Sequence, residues 1–184
     1  MRIGVIGLCS FTMDFVNRSV KAGHQVLLSS TRENRQFKDL AQKMGENVKL
    51  VSRNEAVAAD ILLLFIPRED VELFLTDLPN MNEKILIHAS NPIFSLECLR
   101  PNSKASCEII ASLLPEAHII KVLNIVNPSV LSLLNQRHTG NEIFFAGKDK
   151  HAKDKAKTFF KSLNLAGVDF EDFSLPPIPA HLMN

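Results

Sequence analysis

Short apolar runs alternate with helical patterns along the whole chain. Ile3–Leu8, Gln25–Ser29, Val48–Val51, Ile61–Ile66, Ile85–His88, Ile119–Leu123 and Ile143–Ala146 read as strands, and a last one is expected over Gly167–Phe170. Most are continuously apolar rather than alternating, the pattern of strands whose sheet carries helices on both faces. Between them, Phe11, Phe15, Val16 and Val20 share one helical face, and Gly23 suits the left-handed position just past the helix end. Gly45 has the same place after a helix holding Phe37, Leu40 and Met44. Ser52 with Glu55 three residues on is a capping box opening a short helix. Arg68–Leu78 groups Val71, Phe74, Leu75 and Leu78 and stops at Pro79, while Ser103–Leu114 stops at Pro115. Lys153–Leu163 turns Ala156, Phe159, Phe160 and Leu163 inward, leaving the lysine-rich stretch Lys148–Lys161 as a solvated face.

Strands separated by helices imply parallel pairing through right-handed crossovers. The expected fold is therefore α/β: a Rossmann-type doubly wound, mainly parallel sheet of about seven or eight strands in a single domain. Residues 1–172 form that domain, and residues 173–184, a proline-rich C-terminal tail, continue neither pattern.

Composition narrows the partners. The chain has 184 residues, 46% hydrophobic and 22% charged, with a net charge of +1. So small a charge offers no general attraction for nucleic acid or an anionic membrane. No run of eighteen apolar residues predicts a membrane span, and the apolar opening is too short for the core of a signal peptide. Three cysteines (Cys9, Cys98, Cys107) form no CxxC pair, and six histidines show no HxH or HExxH spacing. Neither a disulfide framework nor a metal site is expected, and a reducing cytoplasm is the expected location. The chain also lacks tyrosine and tryptophan. A Tyr–Lys pair that protonates a carbonyl is thereby excluded.

The first strand and helix have the layout of a dinucleotide fingerprint, G-x-G-x-x-G between a strand and a helix N-terminus. Here it reads Gly7-Leu8-Cys9-Ser10-Phe11-Thr12. The first glycine survives, Cys9 stands where the backbone would approach the phosphates, and Thr12 stands where helix and strand pack closely. Ser10 and Thr12 offer hydroxyls in partial compensation. From the loop alone two readings stay open: a weakened phosphate site, or a βαβ unit that has kept its fold and lost its ligand. After the second strand come Ser30, Thr31 and Arg32, then Arg35, where an NAD enzyme usually carries an acid. Hydroxyls and guanidinium groups suit a 2′-phosphate, although a polar turn with surface arginines explains them equally well by itself.

Read with later segments, these residues resemble the NADP oxidoreductase family that includes the coenzyme F420 (deazaflavin)-dependent NADP reductases and the cytosolic domains of membrane ferric reductases. Leu28–Arg32 resembles its 2′-phosphate turn, and Phe65-Ile66-Pro67 its strand end beside the nicotinamide. Ala89-Ser90-Asn91-Pro92 is similar to its A-T/S-N-P loop, Lys121–Asn124 to its K-x-x-N segment, and Phe145–Asp149 to its F-x-A-G-x-D segment. The resemblance runs from Met1 to about Asp172. It implies NADP(H) extended along the strand carboxyl ends, held by Gly7, Cys9, Ser10, Phe11, Thr12, Ser30, Thr31, Arg32, Arg35, Ile66, Pro67, Asn91 and Pro92. It further implies hydride transfer to a flavin, deazaflavin or other small acceptor, and a homodimer. No catalytic residue is singled out. His88, at a strand end beside this site, is a candidate proton donor, against the plainer reading of a buried, hydrogen-bonded histidine. The rival to an oxidoreductase is a non-catalytic Rossmann module that binds a nucleotide or scaffolds a partner with a degenerate phosphate loop.

Overall fold

A computed structural model describes residues 1–7, 10–29, 35–66, 70–89, 106–123 and 141–169. These form eight strands, β1 (Arg2–Ile6), β2 (Gln25–Ser29), β3 (Val48–Leu50), β4 (Ile61–Leu64), β5 (Ile85–Ala89), β6 (His118–Leu123), β7 (Glu142–Gly147) and β8 (Ala166–Asp169). Six helices accompany them: α1 (Ser10–Lys21), α2 (Arg35–Lys43), α3 (Arg53–Val57), α4 (Val71–Leu75), α5 (Ser106–Leu113) and α6 (Lys150–Ser162). The strands make one sheet in the order β3-β2-β1-β4-β5-β6-β7-β8. β1 to β6 are parallel, in keeping with the doubly wound expectation.

Along each central strand, successive residues enter opposite layers. Ile3, Val5, Ile61, Leu63, Ile85 and Ile87 join one core with Phe15 and Val16 of α1 and with Ala152, Ala156, Phe159 and Phe160 of α6. Ile6, Leu62, Leu64 and Leu86 join a second core with Ala56, Val57, Val71, Leu75 and Ile110, from α3, α4 and α5. Both faces are covered, and for this reason the central strands are apolar at most positions, β4 at all of them. The first core is rich in rings: Phe160 lies 5.5 Å from Phe145 and 6.4 Å from Phe15, centroid to centroid, in tilted and edge-on arrangements that suit the ring quadrupoles.

Several elements differ from expectation for definable reasons. β7 runs antiparallel to β6, with Val122 opposite Phe145, and β8 is parallel to β7, so the reversal of direction falls between β6 and β7 rather than every pairing being parallel. α4 is shorter than expected, because Thr76 is extended at its C-cap and Asp77 takes a positive φ of 60° before Pro79 is reached. α6 starts three residues early, since the Asp149 carboxylate accepts from the Ala152 N–H at 2.7 Å and caps it. The capping box of α3 forms as expected: Ser52 accepts from the Glu55 N–H, and the Glu55 carboxylate accepts from the Ser52 N–H at 2.9 Å.

The lysine-rich stretch is not wholly a solvated face. Lys153 Nζ lies 3.0 Å from Asp169 Oδ2, with side chains only 15% and 2% exposed, and Lys157 sits 5.8 Å over the Phe145 ring. The ends expected at Leu8 and Phe170, the segment Ser103–Ala105 and the tail 173–184 lie outside the described residues.

Candidate functional site

β1 lies between β2 and β4; α1, which leads from β1 to β2, packs on one face of the sheet, and α4, which leads from β4 to β5, packs on the other. Such a reversal opens a crevice beyond the strand carboxyl ends, where open α/β sheets bind ligands. Gly7 stands at its mouth. Its φ is +88°, in the left-handed region that disfavours a side chain, and its N–H donates to the Ser29 carbonyl at 3.3 Å. On the other side the Phe65 N–H donates to the Ile6 carbonyl at 3.0 Å. A Cβ on Gly7 would overlap the Phe65 carbonyl oxygen and come within 2.9 Å of Ile66 Cγ2. The first glycine therefore has a local cause: the β4 backbone closes on it.

α1 begins at Ser10, three residues past that turn, and carries no acidic residue in its first turn, while Arg18 and Lys21 occupy its last. Its free N–H groups and dipole leave partial positive charge at the crevice. Thr12, in place of the third glycine, is fully buried and has a polar partner of its own. Its methyl-bearing side chain is accommodated where α1 meets the sheet, so its hydroxyl is enclosed by protein rather than presented on an open surface.

The other expected site residues are placed unevenly. β2 ends at the buried Ser29 and α2 begins at Arg35; residues 30–34 between them lie outside the described residues. Ile66 is half-buried just past β4 and packs on the second core, and the buried Phe65 stacks 5.9 Å from Phe15. Ser10 and Phe11 occupy the first turn of α1. Cys9, Ser30, Thr31, Arg32, Pro67, Asn91, Pro92 and Asn124 lie outside the described residues, although Ala89 ends β5 immediately before the Ser90–Pro92 segment.

The Phe145–Asp149 segment has a structural task. β7 descends so that Gly147 faces Ile120, and a Cβ there would come within 2.6 Å of Ile120 Cδ1. Asp149 then caps α6 and lies 3.8 Å from His118 at the start of β6. The Ala152 N–H holds its carboxyl below the usual carboxylate range.

One polar pair was not legible in the chain order. His88 faces Lys121 across β5 and β6. By strand alternation His88 shares the face of Leu86, and its imidazole is 2% exposed with no hydrogen-bond partner at Nε2 among the described residues. Burial, and secondarily the Lys121 charge, lowers its pKa to about 4. At neutral pH it is an uncharged imidazole: it is buried as expected, its Nε2 has no partner among the described residues, and its low pKa makes it a poor proton reservoir.

With this geometry in view, comparison with known proteins is informative. Residues 2–92, from β1 past the end of β5, match the family of NADP oxidoreductases, coenzyme F420-dependent. Over this N-terminal segment the chain is similar to that family. The whole fold recurs in a hypothetical protein from Sinorhizobium meliloti, at 21% identity and a TM-score of 0.71 over 92% of this chain and 83% of the other. A protein from Arthrobacter sp. FB24, provisionally named an F420-dependent NADP reductase, matches at 23% identity and a TM-score of 0.69 over 91% and 83%. An imine reductase from Aspergillus terreus, in complex with NADPH4, matches at 14% identity and a TM-score of 0.65 over 92% of this chain but 54% of its own length. At these identities the structural likenesses establish the shared fold. The family match covers the segment that builds the crevice. Among the described residues no helix is long and apolar enough to cross a membrane, and no cluster of three metal-ligating side chains forms.

Proposed function

We propose that this chain is an NADP(H)-dependent oxidoreductase that passes hydride between the nicotinamide and a flavin, deazaflavin or other small acceptor. The observation that carries the reading is the coincidence of the family match with the β1–Gly7–α1 crevice: residues 2–92 supply every element that lines it. The nicotinamide, when bound, supplies the hydride chemistry. What remains for the chain is to bind and orient. The α1 N-terminus, without a competing carboxylate in its first turn, favours the pyrophosphate. Ser30, Thr31, Arg32 and Arg35 follow β2 and hold the 2′-phosphate; Ile66, Pro67, Asn91 and Pro92 follow β4 and β5 and flank the nicotinamide. The absence of tyrosine and tryptophan fits an acceptor that demands no dedicated phenolic acid. The acceptor docks on the exposed edge of this domain or at the interface of a homodimer.

Cys9 in the second glycine position favours a second reading, a Rossmann module that binds a nucleotide weakly without turnover. Thermal stability in the presence of NADPH, NADP or NADH separates the two. Ligand at about a hundred times its dissociation constant adds about 2.7 kcal/mol. The expected result is a rise with NADP and NADPH, a smaller one with NADH, and loss of that preference in Arg32→Ala. No rise with any of them at millimolar concentration would overturn the oxidoreductase reading.

A further inference from the structure

The imidazole at the end of β5, whose Nε2 has no hydrogen-bond partner among the described residues, has a use if the cofactor lies as proposed above. A dinucleotide held at its phosphates by the turn after β1, with its 2′-phosphate end toward β2, places its nicotinamide end over the opposite half of the sheet, toward β4 and β5. β5 is two strands from β1, about 10 Å across the sheet. His88 is the penultimate residue of β5, flanked in register by Leu64 and Lys121. A buried polar atom without a partner is costly and is rare in native proteins unless something else supplies the bond. We propose that His88 Nε2 is a hydrogen-bonding partner of the nicotinamide carboxamide. This rests on the NADP reading and adds a residue to it.

The chemistry suits the pairing. An uncharged imidazole presents one nitrogen as donor and the other as acceptor, and a carboxamide presents an N–H donor and a carbonyl acceptor. Whichever tautomer His88 adopts, Nε2 finds a complementary atom. A protonated imidazole would be a donor only, and burial together with the Lys121 ammonium on the next strand opposes that state. Leu64, on the other side, offers no competing polar group.

The test compares NADP with 2′-phospho-ADP-ribose, which keeps the adenosine phosphates and lacks the nicotinamide. In the full-length protein labelled with 15N at histidine, the His88 Nε2 resonance, assigned through His88→Asn, shifts with NADP and stays in place with 2′-phospho-ADP-ribose. In His88→Leu the affinity for NADP falls about 2- to 10-fold, the worth of one hydrogen bond, while that for 2′-phospho-ADP-ribose holds. His88→Asn, which also offers a donor and an acceptor, keeps most of the NADP affinity. A His88 resonance unmoved by bound NADP overturns the proposal, and so does an equal loss for both ligands. If His88→Leu fails to fold, the resonance and the Asn variant still decide it. A wild-type protein that binds neither ligand removes the cofactor reading itself, a result distinct from binding both without a response at His88.

Discussion

Replacing Gly7 by alanine probes the crevice directly, and its cost can be worked from the structure. Two effects add. The φ of +88° puts an alanine in the left-handed region, about 1–2 kcal/mol above its preferred conformations. The new Cβ also overlaps the Phe65 carbonyl and lies 2.9 Å from Ile66 Cγ2, so β4 must move away from β1 or the turn must unlatch from Ser29. Overpacking of this kind costs about 1–3 kcal/mol. Gly23 supplies the control. Its φ is +76°, but nothing lies within 4 Å of the position a Cβ would take, so Gly23→Ala carries the backbone term alone. Part of that is offset by the reduced entropy of the unfolded chain, about 0.4–1 kcal/mol. Gly7→Ala is therefore expected to lose about 2–4 kcal/mol and Gly23→Ala about 1 kcal/mol or less. With no tryptophan or tyrosine to report, urea unfolding is followed by far-ultraviolet circular dichroism. Equal losses in the two variants would show that the close approach of β4 is not what demands glycine, and the account of the turn would fail.

Other outcomes follow from the same structure. His88 has a folded pKa of about 4, below the ordinary 6.5, so the unfolded chain binds the extra proton first; its contribution to stability is full above pH 6.5 and is lost as pH falls toward 4. Between neutrality and about pH 5 the loss is roughly 2 kcal/mol, and urea melts of His88→Leu should lack it; an identical pH dependence in that variant would contradict the burial of the imidazole. Asp169→Asn leaves the mostly buried Lys153 ammonium without its carboxylate and should cost roughly 2 kcal/mol, less than for a fully enclosed pair because Lys157 is partly solvated. Ser52→Ala removes the acceptor for the Glu55 N–H and should cost about 1 kcal/mol, read from the denaturation midpoint; no change would mean that α3 does not depend on its box. Cys9→Gly tests the phosphate loop: NADP should bind more tightly, and unchanged affinity in calorimetry would show that the side chain at that position does not obstruct it.

What the chain order determined by itself was the architecture and its local punctuation. Continuous apolar strands such as Ile61–Leu64 needed no partner to be recognised, because burial on both faces leaves no polar position. The capping box at Ser52 and Glu55 and the left-handed Gly23 and Gly45 are interactions within a few residues, so spacing alone specified them. The family motifs fell just past the strand ends, Gly7 after β1 and Ile66 two residues after β4. What only the tertiary structure decided involves residues far apart in the chain. An apolar run reads the same in either direction, so the antiparallel β7 could not be told from a parallel one until Phe145 was seen opposite Val122. Lys153 looked like part of a solvated face until Asp169, on another element, came within 3.0 Å of it. His88 and Lys121 are 33 residues apart, and only strand register makes them neighbours and shows an imidazole buried near the carboxyl end of β5 with Nε2 unpaired among the described residues. Local periodicity carries information about which face is buried; it carries none about what the buried polar group meets there.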